Sequence, residues 1–205
     1  MKTIIRKLII IIELSLSILM YGCAGYWWPV HRDMYEILDS YKIHTVAVMP
    51  IRNSHLDSNE TKEVNLYFLT GITKSIKKYI LINPQECLEK LNRDSLTEKY
   101  YNQLSDIHIP GLSVEKLLRD AGKSIGCDAI IQGEISDFTN HTYVDQNKII
   151  TSCGVSYRLY STKDGNHLWG NYVESYIDTD LKSGPSPFIN VVKAGIDLLF
   201  LRTHN

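Results

Sequence analysis

Gly126-Cys127-Asp128-Ala129-Ile130-Ile131-Gln132-Gly133-Glu134-Ile135 is the stretch on which the fold turns. Ala129 to Ile135 is a short, largely apolar run rich in isoleucine, which reads as a buried strand. Gly126 stands where a helix needs a residue tolerant of the left-handed conformation to stop. Upstream, Ser113 to Ile125 carries Val114, Leu117, Leu118, Ala121 and Ile125 at helical spacing, so one apolar face leads straight into the strand. A helix that empties into a buried strand is the basic unit of an α/β protein.

The same alternation continues toward the amino terminus. Thr45-Val46-Ala47-Val48-Met49, closed by Pro50, is a second buried strand. Asp57 with Glu60 has the form of a capping box and opens a helix on which Val64, Tyr67, Phe68, Gly71, Ile72 and Ile76 share a face. Tyr79-Ile80-Leu81-Ile82 is a further strand, and Asn83-Pro84 starts a short helix with proline in its first turn. The polar segment from Asn92 to Pro110 has weak periodicity and reads as a loop with a helical turn or two.

Toward the carboxyl terminus, residues 149–162 and 167–177 alternate as two strands joined by Lys163-Asp164-Gly165-Asn166, a hairpin signal. A two-residue turn at Asp164-Gly165 would place Tyr160 opposite Trp169. Pro187 to Leu201 is a last helix with Ile189, Val192, Ile196, Leu199 and Phe200 along one stripe. The expectation is a single compact α/β sandwich with a mixed, partly antiparallel sheet. Thirteen tyrosines against four phenylalanines suit strands with one wetted face.

The first 42 residues have a different character. Lys2, Arg6 and Lys7 precede an apolar run from Leu8 to Met20, interrupted by Glu13, and Gly22-Cys23 follows at once. That is the layout of a signal peptide, with a run too short for a comfortable membrane-spanning helix. Residues 1–22 are expected to be removed, 23–42 to form a tether, and 43–205 the domain. The chain's net charge of −1 then falls to about −3, which gives no basic balance suited to nucleic acid. Tyr26-Trp27-Trp28-Pro29 either lies in a headgroup layer or belongs to an irregular tether.

Leu19-Met20-Tyr21-Gly22-Cys23 resembles the lipobox of bacterial lipoproteins, with Met20 where leucine is usual and Tyr21 where a small residue is commoner. The resemblance implies that Cys23 is acylated and becomes the amino terminus. Ala24, in place of the aspartate that holds enteric lipoproteins at the inner membrane, implies an outer-membrane anchor facing the periplasm. Val46-Ala47-Val48-Met49-Pro50-Ile51-Arg52-Asn53, the Gly126–Ile135 stretch, and Tyr157-Arg158-Leu159-Tyr160 with Asp164-Gly165 and Leu168-Trp169 form a second resemblance. In this order they are similar to segments of the lipoprotein superfamily of CsgG, LpoB and the TolB N-terminal domain, nearest to its small lipoproteins. That resemblance implies a fold more than an activity. Pore-forming members carry extra amphipathic hairpins, for which this chain has no spare length.

Few residues argue for chemistry. Cys87, Cys127 and Cys153 form no C-x-x-C pair and read as buried small hydrophobes, with at most one disulfide among them. Seven histidines are scattered at 31, 44, 55, 108, 141, 167 and 204, with no metal or catalytic spacing. Gly122-Lys123-Ser124 imitates the end of a phosphate loop, but Leu117 replaces the earlier glycine and a helix precedes it. Asp137, Asp178 and Asp180 suit turns better than a metal site, and Trp169 suits packing better than a partner anchor. The loops Asn53–Asn59 and Asn92–Pro110 are the interaction candidates. No catalytic residue, cofactor or metal is expected. The expected role is a non-enzymatic adaptor or assembly accessory of an envelope complex, anchored to the bilayer through Cys23 and meeting an envelope protein. The alternatives are a ring-forming part of a secretion channel, which requires a homo-oligomer, and an envelope hydrolase.

Overall fold

A computed structural model describes residues 34–105 and 114–201 of the 205. The chain divides into two units, Met1–His31 and Arg32–Asn205, and every described residue belongs to the second. The signal segment, Cys23 and the aromatic run at 26–29 lie outside the described residues.

The elements, in chain order, are α1 (Met34–Ser40), β1 (Thr45–Val48), α2 (Ser58–Ser75), β2 (Ile80–Ile82), α3 (Pro84–Arg93), α4 (Thr97–Ser105), α5 (Val114–Ile125), β3 (Ala129–Tyr143), β4 (Lys148–Ser161), β5 (His167–Asp180) and α6 (Phe188–Leu201). A single 3-10 turn, Leu181–Ser183, links β5 to α6. The five strands form one mixed sheet in the order β2-β1-β3-β4-β5. β1 runs parallel to both β2 and β3, whereas β3, β4 and β5 are an antiparallel meander. This is the mixed α/β architecture that the alternation of periods implies.

Local chemistry sets the boundaries. At the start of α2, Asp57 Oδ1 accepts the N–H groups of Asn59 and Glu60, and Glu60 accepts the N–H of Asp57, so three exposed backbone donors are satisfied by a reciprocal pair of side chains. Asn83 Oδ1 caps α3, whose first residue is Pro84. At the end of α5, Gly126 has φ +79, and its N–H and that of Cys127 both return to the carbonyl of Gly122.

Two cores lie on opposite faces of the sheet. On one, Val46, Val48, Ile131, Val155 and Leu159 meet side chains of α1, α2 and α6. At its centre Phe68, Tyr157 and Phe200 pack with ring centroids 5.7 to 6.3 Å apart. On the other face, Ala47, Met49, Ile130 and Tyr160 meet α3, α4 and α5. Each fully buried side chain of this size contributes about 1.5–3 kcal/mol, and this burial is what makes the short parallel strands hold.

Four local expectations change. The stretch read as a tether to Lys42 contains α1, whose Met34, Ile37 and Leu38 are buried at i, i+3 and i+4. Seven residues without a capping signature are too short for periodicity to stand out. Within Asn92–Pro110, Thr97–Ser105 is a helix, anchored by the fully buried Tyr100. β3 runs on to Tyr143, well past its apolar segment, and β5 continues from the expected 177 to Asp180.

The hairpin register also shifts. Ser161 and Asn166 close a four-residue loop in which Gly165 (φ +78) donates to the Ser161 carbonyl. A bulge then places Tyr160 opposite His167 and Leu159 opposite Trp169, so Tyr160 and Trp169 are not partners. Trp169 instead lies 4.8 Å from the ring of Tyr157, on the core face.

Candidate functional site

The residues singled out for chemistry are dispersed. His55 packs between Phe138 and Phe188, His141 lies 6.5 Å from Tyr143, and His167 meets Tyr160 edge-on. His31, His108 and His204 lie outside the described residues. Ser124 donates its hydroxyl to the Lys90 carbonyl, and Gly122 lies against Thr162, so Gly122-Lys123-Ser124 is helix-end packing. Asp178 pairs with Lys148 at 3.2 Å, and Asp137 accepts from Ser136. Among the described residues no group of three or more His, Cys, Asp or Glu could hold a metal ion.

The three described cysteines are free thiols, all buried. Desolvation pushes the thiols of Cys87 and Cys127 up to about 12, and that of Cys153 also upward. A thiol held protonated by burial is a poor nucleophile.

The loop Asn53–Asn59 is fastened internally rather than left open. Asn53 accepts from the N–H of Leu56 at 2.9 Å and donates to Thr61, and Asn65 accepts from the N–H of Ile51 at 2.7 Å. It is built to hold the turn from β1 into α2.

The surface that sequence reasoning did not single out lies on the second face of the sheet. Helices α3, α4 and α5 cover it from β2 as far as Gln132, where Tyr100 donates to the Gln132 side chain at 3.4 Å. Beyond that point the strands continue without a described helix over them. Glu134, Ser156 and Tyr172 lie in one row across β3, β4 and β5; Ser136, Gly154 and Glu174 lie in the next. Tyr172 is 50% and Tyr176 69% exposed. The floor beneath them is made of small residues, because a Cβ on Gly154 would sit 2.7 Å from the Tyr172 hydroxyl and 2.8 Å from that of Ser136. Arg52 and Glu134, 3.7 Å apart, form the charged rim. Tyr172 therefore lies flat across its neighbouring strand, a broad amphipathic ring over a shallow platform. The signal was present in the sequence as alternation: Tyr172, Glu174, Tyr176 and Asp178 occupy every second position, interleaved with the core-facing Val173, Ser175 and Ile177.

No helix among the described residues is long and apolar enough to cross a membrane. No protein-family profile matches the chain, and no curated protein matches its sequence. Solved structures are similar to it at low identity. The lipoprotein GNA1162 from Neisseria meningitidis is 17% identical with a TM-score of 0.47, over 78% of this chain and 99% of that one. The hypothetical protein CT253 from Chlamydia trachomatis is 12% identical with a TM-score of 0.46, over 78% and 93%. The LpoB C-terminal domain from Salmonella enterica is 14% identical with a TM-score of 0.40, over 64% and 81%.

Proposed function

We propose that this protein is a lipid-anchored adaptor of the bacterial envelope, acylated at Cys23 after loss of residues 1–22 and held on the periplasmic side of the outer membrane. The sheet face of β3, β4 and β5, over which no described helix lies, is the observation that carries the docking role. Exposed tyrosines over a flat floor of small residues offer contact area at low entropic cost, which is the chemistry of protein recognition rather than of catalysis. The anchor supports that role by confining the domain near envelope partners and raising its effective concentration there.

A photo-crosslinking amino acid placed at Tyr176, compared with one at the exposed Leu66 on α2, tests the surface in cells. Position 176 is expected to trap one discrete partner band that position 66 does not. Equal trapping at both positions, or none at 176, defeats the proposal. The anchor is tested separately by metabolic labelling with radioactive palmitate, which should mark the wild type and not Cys23→Ala; an unlabelled wild type rules the acylation out.

A further inference from the structure

The edge of the sheet opposite the tyrosine platform carries a second, chemically different surface. Two clefts flank the buried ring of Tyr79. One, of about 420 Å³, is lined by Lys42, Ile43, His44, Lys78 and Ile80, with Asp39 as its carboxylate. The other, of about 290 Å³, is lined by Thr73, Lys77 and Leu81 among others. Asp39 is already committed, accepting from Lys78 Nζ at 2.8 Å and from the Tyr79 hydroxyl at 2.9 Å. Lys42, Lys74 and Lys77 are exposed and have no ion pair among the described residues. Two apolar side chains are exposed as well: Ile80, at 66%, shares the first cleft with Lys42, and Tyr41, at 50%, directly precedes Lys42. Ile80 begins an edge strand of three residues, too short to template another strand.

Unpaired lysines around a protruding isoleucine and tyrosine match the two layers of an anionic phospholipid surface, charge outside and hydrocarbon beneath. The location agrees. Tyr41 and Lys42 directly follow α1, the first described element, which comes eleven residues after Cys23. We infer that this basic edge, from Lys42 across Lys77 to Ile80, is a second membrane contact that docks the domain on anionic lipid headgroups. The inference rests on the lipid-anchored reading above. An anchor alone leaves the domain free to rotate on its tether; a second contact fixes which side faces the bilayer. With β2 held at the membrane, β5 at the far end of the five-strand order is turned away from it, and Tyr172 and Tyr176 are presented outward.

The test uses the full-length acylated protein in vesicles. A fluorophore is attached through Thr73→Cys in one variant and Tyr176→Cys in another, the native thiols being buried and Cys23 acylated. Vesicles are either pure phosphatidylcholine or about one-third phosphatidylglycerol, each with a headgroup-bound quencher. Quenching at position 73 is expected to rise about threefold or more in the anionic vesicles, to fall with added salt, and to stay low at position 176. Lys42→Glu with Lys74→Glu and Lys77→Glu should abolish the rise. The glutamine triple should weaken it, and circular dichroism guards against a folding defect in either. Equal quenching at 73 in both lipids, or equal quenching at 73 and 176, overturns the docking. Flotation separates the two readings. Protein that floats with both vesicle types but shows no lipid dependence at position 73 keeps its anchor and loses the docking. Protein that floats with anionic vesicles alone loses the anchor and keeps the docking, and protein that floats with neither loses both.

Discussion

The carboxylate of Asp128 reaches across the base of the sheet to Thr45, accepting its N–H at 2.9 Å and that of His44 at the same distance. One side chain thereby fixes where β1 begins relative to β3, since Asp128 immediately precedes Ala129, the partner of Val46. Its own N–H donates to the Thr45 carbonyl, which makes the link two-sided.

Asp128→Ala should therefore destabilise the protein by about 1–2 kcal/mol, the scale for hydrogen bonds to a charged acceptor at an exposed site. Asp128→Asn should recover part of the loss, because an amide oxygen still accepts. Urea unfolding of the two variants measures both, and an alanine variant as stable as the wild type would show that the register is set by the strands alone.

The crossing of α2 and α6 is limited by one glycine. A Cβ on Gly71 would lie 2.3 Å from Phe200 Cδ2, inside the aromatic cluster that Phe200 shares with Phe68 and Tyr157. Gly71→Ala gains about 1 kcal/mol of helix propensity and loses more to overpacking, for a net cost of about 1–2 kcal/mol. Adding Phe200→Leu should return part of that cost, an interaction term readable in a double-mutant cycle.

The native thiols should be inert. With Cys87 and Cys127 pushed up to about 12 and Cys153 buried beside the Ser175 hydroxyl, a disulfide reagent at pH 8 should label none of the three before unfolding. In denaturant all three should react, and rapid labelling of the native protein would contradict the burial.

Asp39 gives a pH dependence of known sign. Hydrogen bonds from Lys78 and Tyr79 hold its carboxyl below the ordinary 3.8. A carboxylate stabilised in the folded state contributes fully above its unfolded value and loses that contribution as pH falls through the folded one. Thermal scans between pH 5 and pH 2 should show a smaller acid loss in Asp39→Asn than in the wild type. The pair is exposed, so the difference is small and salt-sensitive.

How much of this was legible in the sequence depended on how local the signal was. The Asp57–Glu60 box, Pro84 and Gly126 act within four residues of themselves, and each helix boundary they imply is present. The buried strands were legible because hydrophobic periodicity reports which face meets a core. The outer half of β3 was not, since Ser136 to Tyr143 leaves the core and pairs through its backbone with β4. Helix α4 was missed for a related reason: one buried tyrosine anchors nine polar-leaning residues, too little for a periodic stripe. The four-residue loop and the Leu168 bulge together moved Trp169 from Tyr160 to Leu159, and the Asp164-Gly165 signal, which fits a two-residue turn, encodes neither. The tyrosine platform was visible as alternation, but whether a helix would cover it depended on where α4 ended in space.

The strand order carries a consequence for the order of events during folding. β1 is an interior strand only because β3 lies beside it, and the two are separated by roughly 80 positions along the chain. The meander of β3, β4 and β5 needs only adjacent partners and can assemble quickly, whereas the parallel seam must wait for a distant loop to close. A polypeptide emerging amino terminus first thus carries its first strand half-paired until more than half of the remaining chain has followed. The seam that Asp128 fastens cannot shut before β3 has followed, so the early portion waits with one edge of β1 open over that interval.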